Sequence, residues 1–342
     1  MKAAFFREHG PVEVLEYAEL PDPVPGPGEA LVRVRAVALN HLDLHVRRGL
    51  PGLKLQLPHI GGSDIAGEVA ALGEGITGWE PGDRVVVNPS VGCGQCEWCV
   101  MGEESMCVRF RIIGEHMPGG TAEYVTVPAA NLYKIPADYP FEQAAAAPLV
   151  FATAWRALIT QGRLRAGESV LIVGAGGGVA TAAIQIARLA GAKVFAASRS
   201  REKLERAREL GADELLDSGE DFSREIWMRT GKRGVDVVLE NVGAVTWERS
   251  LRSLGRGGRL VTYGATTGPQ VPIDVRQVFW KQYSISGSTM SNRHEFATVM
   301  RLVFWERRIQ PVVDRVLPLS EIREAHRLLE SAEQFGKVVL TP

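Results

Sequence analysis

The sequence is short of three features that mark specialised classes of protein. Cysteine occurs only four times in 342 residues, so a small fold held together by disulfides is excluded. The longest apolar run, from Ala144 to Trp155, is interrupted by Pro148 and falls short of the ~20 residues that a membrane span needs. The formal net charge is −1, which argues against a basic surface for nucleic acid.

The N-terminus also has no apolar signal core, because charged residues follow Met1 within a few positions. We therefore expect a cytoplasmic protein with reduced thiols and with neither a membrane nor a nucleic-acid partner. The length suits about two domains. Hydrophobic residues make up 45% of the chain, which is typical of globular proteins that bury a core.

All four cysteines lie in one stretch, GCGQCEWCVMGEESMC, which begins at Gly92. Their spacing lets the loop present four thiolates at tetrahedral corners, and such a set favours zinc. An iron–sulfur cluster is the alternative metal, but the bacterial ferredoxin run has three residues before its last cysteine and then proline. Four unliganded thiols are disfavoured because exposed, clustered thiolates oxidise. We predict one structural zinc per chain, with no open coordination position, on Cys93, Cys96, Cys99 and Cys107.

The pattern of strands changes along the chain. Short strands with turn punctuation, such as EALVRVRAVAL and PGDRVVV, predict a β-rich domain over residues 1–140. Over 141–289, six apolar segments alternate with helices, which predicts a doubly wound parallel sheet. Residues 290–342 end in the strand GKVVLT and are expected to rejoin the first domain. The predicted fold class is α/β.

A glycine loop in the second domain predicts a dinucleotide site. In SVLIVGAGGGVATAAIQIARLAGAKVFAASRS, an apolar strand leads into the glycines, a helix and a second strand. Glycines let the backbone approach a pyrophosphate, and the helix N-terminus offers free N–H groups and a positive dipole end. The predicted contacts are Gly174, Gly176, Gly177, Gly178 and Val179.

The end of the second strand indicates which dinucleotide binds. An acidic residue about twenty positions after the glycines would hold the ribose 2′-hydroxyl of NAD. Ser198 lies there instead, followed by Arg199 and Lys203, and a hydroxyl beside cationic donors suits a 2′-phosphate. We therefore predict NADP(H) over NAD(H). The alternative is that SRSREKLERARE is only a solvated, salt-bridged helix face.

Taken together, these motifs resemble the medium-chain dehydrogenase/reductase superfamily over essentially the whole chain. The resemblance is carried by PGDRVVV, the cysteine segment at about 92–108, GAGGGVATAAIQIA, GADELLD, VDVVLENVG, GGRLVTYGATTG, SISGSTM and FGKVVLT. It implies a GroES-like catalytic domain, a Rossmann cofactor domain, a small-molecule substrate, and a homodimer or homotetramer. By family position, Thr153 is expected near the nicotinamide, and Gly264 and Ala265 on a loop that borders it. Lys337 is expected to reach the cofactor, with a plain surface lysine as the alternative.

The chain departs from the zinc alcohol dehydrogenases of this superfamily at their catalytic metal. Those enzymes hold the metal with a cysteine, a histidine and a second cysteine. The matching positions are Asn40, Ser63 and about Leu149, with Asp64 where a glutamate usually lies and Leu42 at the proton-relay hydroxyl. Because thiolate and imidazole donors are missing at all three positions, a conventional catalytic zinc is not expected.

The motifs ALNHLDLH and GAGGGVAT are more similar to the quinone oxidoreductase branch, which passes hydride from NADPH to a quinone or activated alkene without a metal. Catalysis then depends on positioning and on a donor to the developing oxyanion. By family position, His41 lies near the cofactor diphosphate and His45 near the ribose, while Asp43 orients the loop. The candidate catalytic residues, each with a purely structural alternative, are Asn40, His41, Asp43, His45 and Asp64.

Two other functions remain open at this point. Quinone reductases of this branch commonly lack the cysteine segment, and His59, Glu115 and His116 together with His41 and Asp64 suggest an unusual second metal site. That site would make the protein an alcohol or aldehyde dehydrogenase with an unusual catalytic zinc. The third possibility is a non-catalytic NADPH-binding protein. The leading prediction is an NADP(H)-dependent reductase of quinones, enones or carbonyl compounds in which zinc is only structural.

Overall fold

The structure is a computed structural model that describes residues 1–342. It has eighteen strands, which are β1 (Lys2–Phe6), β2 (Leu15–Glu19), β3 (Glu29–Ala38), β4 (His59–Ile60), β5 (Asp64–Leu72), β6 (Arg84–Val87), β7 (Ser90–Val91), β8 (Arg111–Ile112), β9 (Tyr124–Pro128), β10 (Leu132–Lys134), β11 (Ser169–Val173), β12 (Lys193–Ser198), β13 (Glu214–Asp217), β14 (Val235–Glu240), β15 (Leu254–Thr262), β16 (Ser284–Gly287), β17 (Val313–Pro318) and β18 (Lys337–Thr341).

Eleven α-helices accompany the strands, and none of them combines the length and the apolar composition that crossing a membrane requires. They are α1 (His41–Arg48), α2 (Glu97–Val100), α3 (Phe141–Ala145), α4 (Pro148–Trp155), α5 (Gly178–Leu189), α6 (Arg201–Glu209), α7 (Phe222–Arg229), α8 (Trp247–Ser253), α9 (Val275–Lys281), α10 (Arg293–Met300) and α11 (Ile322–Ser331).

The chain forms two compact units, residues 1–152 with 291–342 and residues 153–290. The sequence placed these boundaries after 140 and 289. The first boundary lies later because α3 packs against β3 and β5 of the first unit. In addition, the backbone N–H of Leu149 donates to the side chain of Asp64. The C-terminal segment belongs to the first unit because β17 and β18 extend its main sheet.

The first unit is built on a seven-stranded sheet. Its strands run in the order β10-β6-β5-β3-β18-β17, and β9 also pairs with β3. Buried and exposed residues alternate along the first part of β3, because one face packs on the core and the other faces water. The antiparallel pairing of β3 with β18 sets Ala38 opposite Val339. The same register, continued past the end of β3, brings Asn40 level with Lys337.

The second unit is a six-stranded parallel sheet in the order β13-β12-β11-β14-β15-β16. This confirms the predicted doubly wound sheet. Every residue of β11 is buried, as expected for a central parallel strand covered on both faces. The strand order reverses between β11 and β14, and sheets of this kind bind ligands at the carboxyl ends of such strands.

Candidate active site and metal centre

The four cysteines converge. Their Sγ atoms all lie within 4.8 Å of one another, and those of Cys93 and Cys99 are 4.0 Å apart. Four sulfurs bound to one zinc at about 2.3 Å are separated by roughly 3.8 Å. Cys107 Sγ also accepts hydrogen bonds from the backbone N–H groups of Cys93 and Arg109, at 3.2 and 3.3 Å. The donor set and its spacing therefore fit a tetrahedral zinc.

The cysteines of the segment differ in their tendency to ionise, since burial raises the pKa of Cys99 to about 12, and the segment is tied to α10. Backbone N–H groups of Gln95 and Cys96 lower the pKa of the Cys93 thiol to about 6. Glu104, which lies between the third and fourth cysteines, accepts the backbone N–H of Arg293 at the start of α10, at 3.2 Å. Loss of order in this segment would therefore also remove a contact from that helix.

The residues considered for a second metal site do not come together. Among the 342 residues, only the cysteines form a group of three or more His, Cys, Asp or Glu with donor atoms this close. His59 Nε2 lies 3.1 Å from the carbonyl oxygen of Gly114. His116 Nδ1 accepts the backbone N–H of Ile112 and lies 3.7 Å from Glu115. Burial lowers the pKa of both histidines, as expected for rings packed in the protein.

A buried polar cluster, formed by Asn40, Asp64 and Lys337, lies where β3 ends and where β5 and β18 begin. Lys337 Nζ donates to Asn40 Oδ1 at 2.5 Å and to Asp64 Oδ2 at 2.8 Å. Asn40 Nδ2 donates to the same oxygen of Asp64 at 2.9 Å. The other oxygen, Oδ1, accepts the backbone N–H of Leu149 at 2.6 Å. Asp64 is fully buried, and its carboxylate is paired with the Lys337 ammonium and with two further donors, Asn40 Nδ2 and the Leu149 N–H.

The structure adds to what the sequence predicted for two residues at or beside this cluster, Lys337 and Ser63. Lys337 was expected at the cofactor, and that contact stays a prediction, but its Nζ already serves Asn40 and Asp64 inside the first unit. Ser63, at the position of the missing histidine ligand, is fully buried and its Oγ has no hydrogen-bond partner. Of the three positions that hold the catalytic metal in zinc alcohol dehydrogenases, Asn40 thus belongs to a polar cluster with its own cation, and Leu149 contacts that cluster through its backbone N–H.

Asp43 joins this cluster to α1. Its Oδ2 accepts the backbone N–H of Asn40 at 2.7 Å, and its Oδ1 accepts that of Gly62 at 2.9 Å. Burial raises the pKa of Asp43 to about 6, although these two N–H groups and Lys337 oppose the rise. The carboxyl group therefore orients the loop before α1 and titrates close to neutrality.

The two histidines predicted near the cofactor lie on the exposed surface of α1. His41 is the first residue of the helix and His45 follows one turn later, so both side chains project from one face. Burial and the neighbouring Arg48 lower the pKa of His45. A neutral imidazole at this position can accept a proton or a hydrogen bond.

The glycine loop has the backbone geometry that an anion site requires. Gly174 adopts a φ of +77°, a region that favours glycine. Gly177 precedes α5 in an extended conformation and is its N-cap residue, without a side chain. The first turn of α5, which includes Gly178 and Val179, therefore presents backbone N–H groups that have no partner within the helix. The loop fits the pyrophosphate of a dinucleotide.

The residues predicted to select the dinucleotide lie in one turn after β12. Ser198 is buried at the end of the strand, and its Oγ accepts the backbone N–H of Ser200 at 3.3 Å. Ser200 in turn caps α6 by accepting the backbone N–H of Lys203. Arg199 is exposed, and the Lys203 chain passes so close to Gly176 that a Cβ there would lie 2.5 Å from Lys203 Cδ.

Sequence reasoning missed Asn241, which follows β14. Its Oδ1 is buried without a hydrogen-bond partner and would lie 3.2 Å from a Cβ placed on Gly174. The buried carboxylate of Glu240 fixes this turn by accepting the backbone N–H groups of Val242 and Gly243. An unpartnered acceptor beside the glycine loop suits a donor on the cofactor. The available signal was its position after the strand next to β11, where the strand order reverses.

The remaining predicted cofactor residues also belong to the second unit. Gly264 and Ala265 begin an exposed loop after β15. The backbone N–H of Thr266 in this loop donates to the carbonyl of Asn241, so the loop lies beside the turn that follows β14. Thr153 is buried in α4, with its Oγ1 4.0 Å from Met290 Sδ.

Comparison with known proteins gives matches along the chain. The model described as "Alcohol dehydrogenase GroES-like domain" matches residues 26–137, and that described as "Zinc-binding dehydrogenase" matches residues 178–305. An acryloyl-coenzyme A reductase of Metallosphaera sedula is 33% identical over 342 residues, which is 100% of both chains. A quinone oxidoreductase of Lama guanicoe is 32% identical over 348 residues, covering 99% of this chain and 97% of the relative.

Two solved structures match this chain over its whole length. A structure described as an NAD-dependent alcohol dehydrogenase is 46% identical, covers 100% of both chains and has a TM-score of 0.96. A crotonyl-CoA carboxylase/reductase in complex with NADP is 27% identical, with a TM-score of 0.93, and the match covers 100% of this chain and 94% of that one.

Proposed function

Because this chain belongs to the medium-chain dehydrogenase/reductase superfamily, we propose that it passes hydride from NADP(H) to an activated alkene, a quinone or a related carbonyl acceptor. The observation that carries this proposal is the polar cluster. Asn40, Asp64 and Lys337 occupy the region of the expected metal ligands and form no set of metal donors. Acceptors that spread negative charge over a conjugated system suit such a site, because a hydrogen-bond donor is enough to stabilise the charge.

Two relatives support this class of acceptor. One is named an acryloyl-coenzyme A reductase and the other a quinone oxidoreductase, and each matches nearly the whole chain at 32–33% identity. An acryloyl thioester and a quinone both have a carbonyl group conjugated to a carbon–carbon double bond. We therefore place unsaturated thioesters, enones and quinones first among the substrates to be tested.

The residues of the chain have separate tasks in this reaction. NADPH bound at the glycine loop would supply the hydride, and solvent would supply the proton that the resulting enolate or phenolate takes up. The N–H groups at the start of α5 would hold the pyrophosphate of NADPH, and Ser198, Arg199 and Lys203 would hold its 2′-phosphate. Asn40 donates a hydrogen bond to the acceptor oxygen on which negative charge develops, and Asp43 keeps the Asn40 backbone in place.

We also propose one structural zinc on the cysteines. The sulfur spacing and the backbone N–H groups that point to Cys107 support this, and an all-sulfur set leaves no position for substrate. Elemental mass spectrometry of protein purified without added metal should find one zinc per chain. Two zincs per chain would count against the proposal and favour a second, catalytic ion.

A second candidate function is alcohol or aldehyde dehydrogenation. It is favoured by the 46% identity to a structure described as an NAD-dependent alcohol dehydrogenase. Because that structure is described as NAD-dependent, the preference of this chain for NADP(H) over NAD(H) has to be measured. A protein of this second kind would oxidise alcohols with NAD⁺ and would lose that activity when treated with a chelator that leaves the fold intact.

One set of assays separates these functions. Oxidation of NADPH and of NADH is followed with crotonyl-CoA, acryloyl-CoA, 1,4-benzoquinone, methyl vinyl ketone and aldehydes, and alcohol oxidation is followed with both oxidised cofactors. We expect turnover of the conjugated acceptors with NADPH and little alcohol oxidation, and Asn40→Ala should lower kcat about 100-fold. Fast alcohol oxidation alone favours the second candidate. Tight NADPH binding without turnover identifies a binding protein.

We further propose that the protein is a homo-oligomer. β16 is an edge strand of the parallel sheet, and α9 just before it exposes Phe279 and Trp280 at 65% and 68%. An edge strand offers unpaired backbone groups to another chain, and adjacent exposed aromatic side chains are typical of an interface. Size-exclusion chromatography with light scattering at micromolar concentration should give a dimer or a tetramer, whereas a monomer would contradict this.

A further inference from the structure

The side-chain amide of Asn40 lies between a group that only donates hydrogen bonds and a group that only accepts them. Lys337 Nζ is 2.5 Å from Asn40 Oδ1, and Asp64 Oδ2 is 2.9 Å from Asn40 Nδ2. An ammonium has no acceptor and a carboxylate has no donor. Rotation of the amide by 180° would set its NH₂ group against the ammonium and its oxygen against the carboxylate. One orientation of the amide is therefore selected.

In this orientation one N–H of Asn40 remains weakly used. The amide nitrogen carries two hydrogens, and one is donated to Asp64. The other faces only the carbonyl of Ala38 at 3.5 Å, a distance at which a hydrogen bond is weak. Asn40 is 8% exposed, more than Asp64 and Lys337, which are 0% and 3% exposed. It is therefore the member of the cluster that a bound molecule can reach most easily.

We propose that Lys337 and Asp64 are positioning residues that fix the Asn40 amide so that this N–H serves the substrate oxygen on which charge develops. The inference rests on the proposed function, in which Asn40 is the donor. A hydrogen bond accepted by the amide oxygen polarises the group and strengthens its N–H donors. Lys337 thus acts on the reaction through Asn40 and does not touch the substrate.

The lysine can be removed from the amide by a single substitution. If Lys337 is replaced by methionine, the amide oxygen of Asn40 loses its donor, and only the hydrogen bond to Asp64 still holds the group. The amide then turns more freely, and its N–H donors lose the polarisation that the ammonium supplies. Asp43 is the other titratable group packed here, and its N–H donors, Asn40 and Gly62, are not altered by the substitution.

The kinetic test compares single and double variants. Lys337→Met should lower kcat about 10-fold, because the Asn40 N–H is then a weaker and less well-oriented donor. Lys337→Arg, which keeps the charge, should recover most of the activity. In the Asn40→Ala background, Lys337→Met should change kcat less than about twofold, because the residue acts through Asn40. If it lowers kcat by the same factor in both backgrounds, the inference is overturned.

The matched control is Lys134→Met. Lys134 also pairs with an aspartate, Asp83, at 2.6 Å, but its side chain is exposed and far from the cluster in sequence. We expect no change in kcat. Should Lys337→Met fail to fold, Lys337→Gln replaces it, because its neutral amide can form a hydrogen bond with Asn40 but lacks the ammonium charge. That variant should also lower kcat, and an unaltered kcat overturns the inference.

A second measurement does not depend on turnover. The side-chain NH₂ signals of Asn40, assigned by their loss in Asn40→Ala, should be two resolved and slowly exchanging resonances in nitrogen-15 spectra. In Lys337→Met at pH 6 they should shift and broaden, and unchanged signals overturn the inference. If the wild type reduces none of the acceptors, the proposed function fails, and these spectra still decide whether Lys337 fixes the amide.

Discussion

The guanidinium of Arg47 lies 3.1 Å from the Nδ1 atom of His326, and both side chains are buried in the first unit. Because Arg47 can only donate, Nδ1 must accept, and the imidazole is held as the neutral tautomer with its proton on Nε2. Burial, followed by the charge of Arg47, lowers the pKa of His326 to about 3. Arg47 is balanced instead by Glu330, which lies one turn after His326 on α11.

This pair predicts a loss of stability in mild acid. The unfolded chain binds a proton on His326 as the pH falls through about 6.5, and the folded chain does not. The contribution of neutral His326 to the free energy of unfolding is therefore fully present above pH 6.5. About 2 kcal/mol of it is lost between pH 7 and pH 5. His326→Gln keeps an acceptor without a titrating group, so in urea unfolding it should lack this part of the pH dependence. An identical pH dependence in both proteins would contradict the assignment.

Asp43 should act in the opposite direction. Its pKa is raised from 3.8 to about 6 by burial, so the folded chain binds a proton that the unfolded chain still releases between these values. Lowering the pH from 7 to 5 should therefore contribute about 1 kcal/mol of stability. In Asp43→Asn this increment should be missing, so the variant should lose more stability than the wild type over the same range. If the wild type and Asp43→Asn lose the same stability between pH 7 and pH 5, Asp43 stays ionised over this range.

The turn after β12 predicts the effect of a carboxylate at the cofactor site. Ser198→Asp should weaken NADPH binding by about 10- to 100-fold, because a carboxylate repels the 2′-phosphate, and it should improve NADH binding. Arg199→Ala should weaken NADPH by about 10-fold and leave NADH unchanged. The control is Arg208→Ala, since Arg208 is exposed on α6 and pairs with Glu205. Fluorescence titration measures all four proteins, and tighter NADH than NADPH binding by the wild type would refute the predicted preference.

The sequence predicted the parts of the fold that are encoded locally. The six strands of the parallel sheet and the glycine loop could be found because periodicity and turn residues lie within short windows. The four cysteines converge for the same reason, since the first and the last are only 14 positions apart in the sequence. Such features do not depend on which distant segments pair.

The polar cluster could not be found in this way. Asn40 and Lys337 are 297 residues apart, and they meet because β18 pairs with β3 in one particular register. Nothing in the alternation of either strand specifies that register. Each residue was therefore weighed alone, Asn40 as a candidate catalyst and Lys337 as a cofactor contact, and their interaction was missed. The boundary near residue 152 was missed for a similar reason, because it depends on contacts that α3 and Leu149 make with β5.

The cysteine segment gives the last prediction, which concerns stability and metal content together. In Cys107→Ser the segment loses its buried sulfur, which accepts two backbone N–H groups, and we expect less than about one tenth of a zinc per chain. The melting temperature should fall by several degrees. Hydrogen exchange should rise in residues 92–108 and at the start of α10, where Glu104 accepts the N–H of Arg293. Met101→Ser, at an exposed position of the same segment, should keep the zinc and the exchange pattern. If Cys107→Ser keeps its zinc, the ion is held elsewhere; if it loses zinc without faster exchange at α10, the metal stabilises only its own loop.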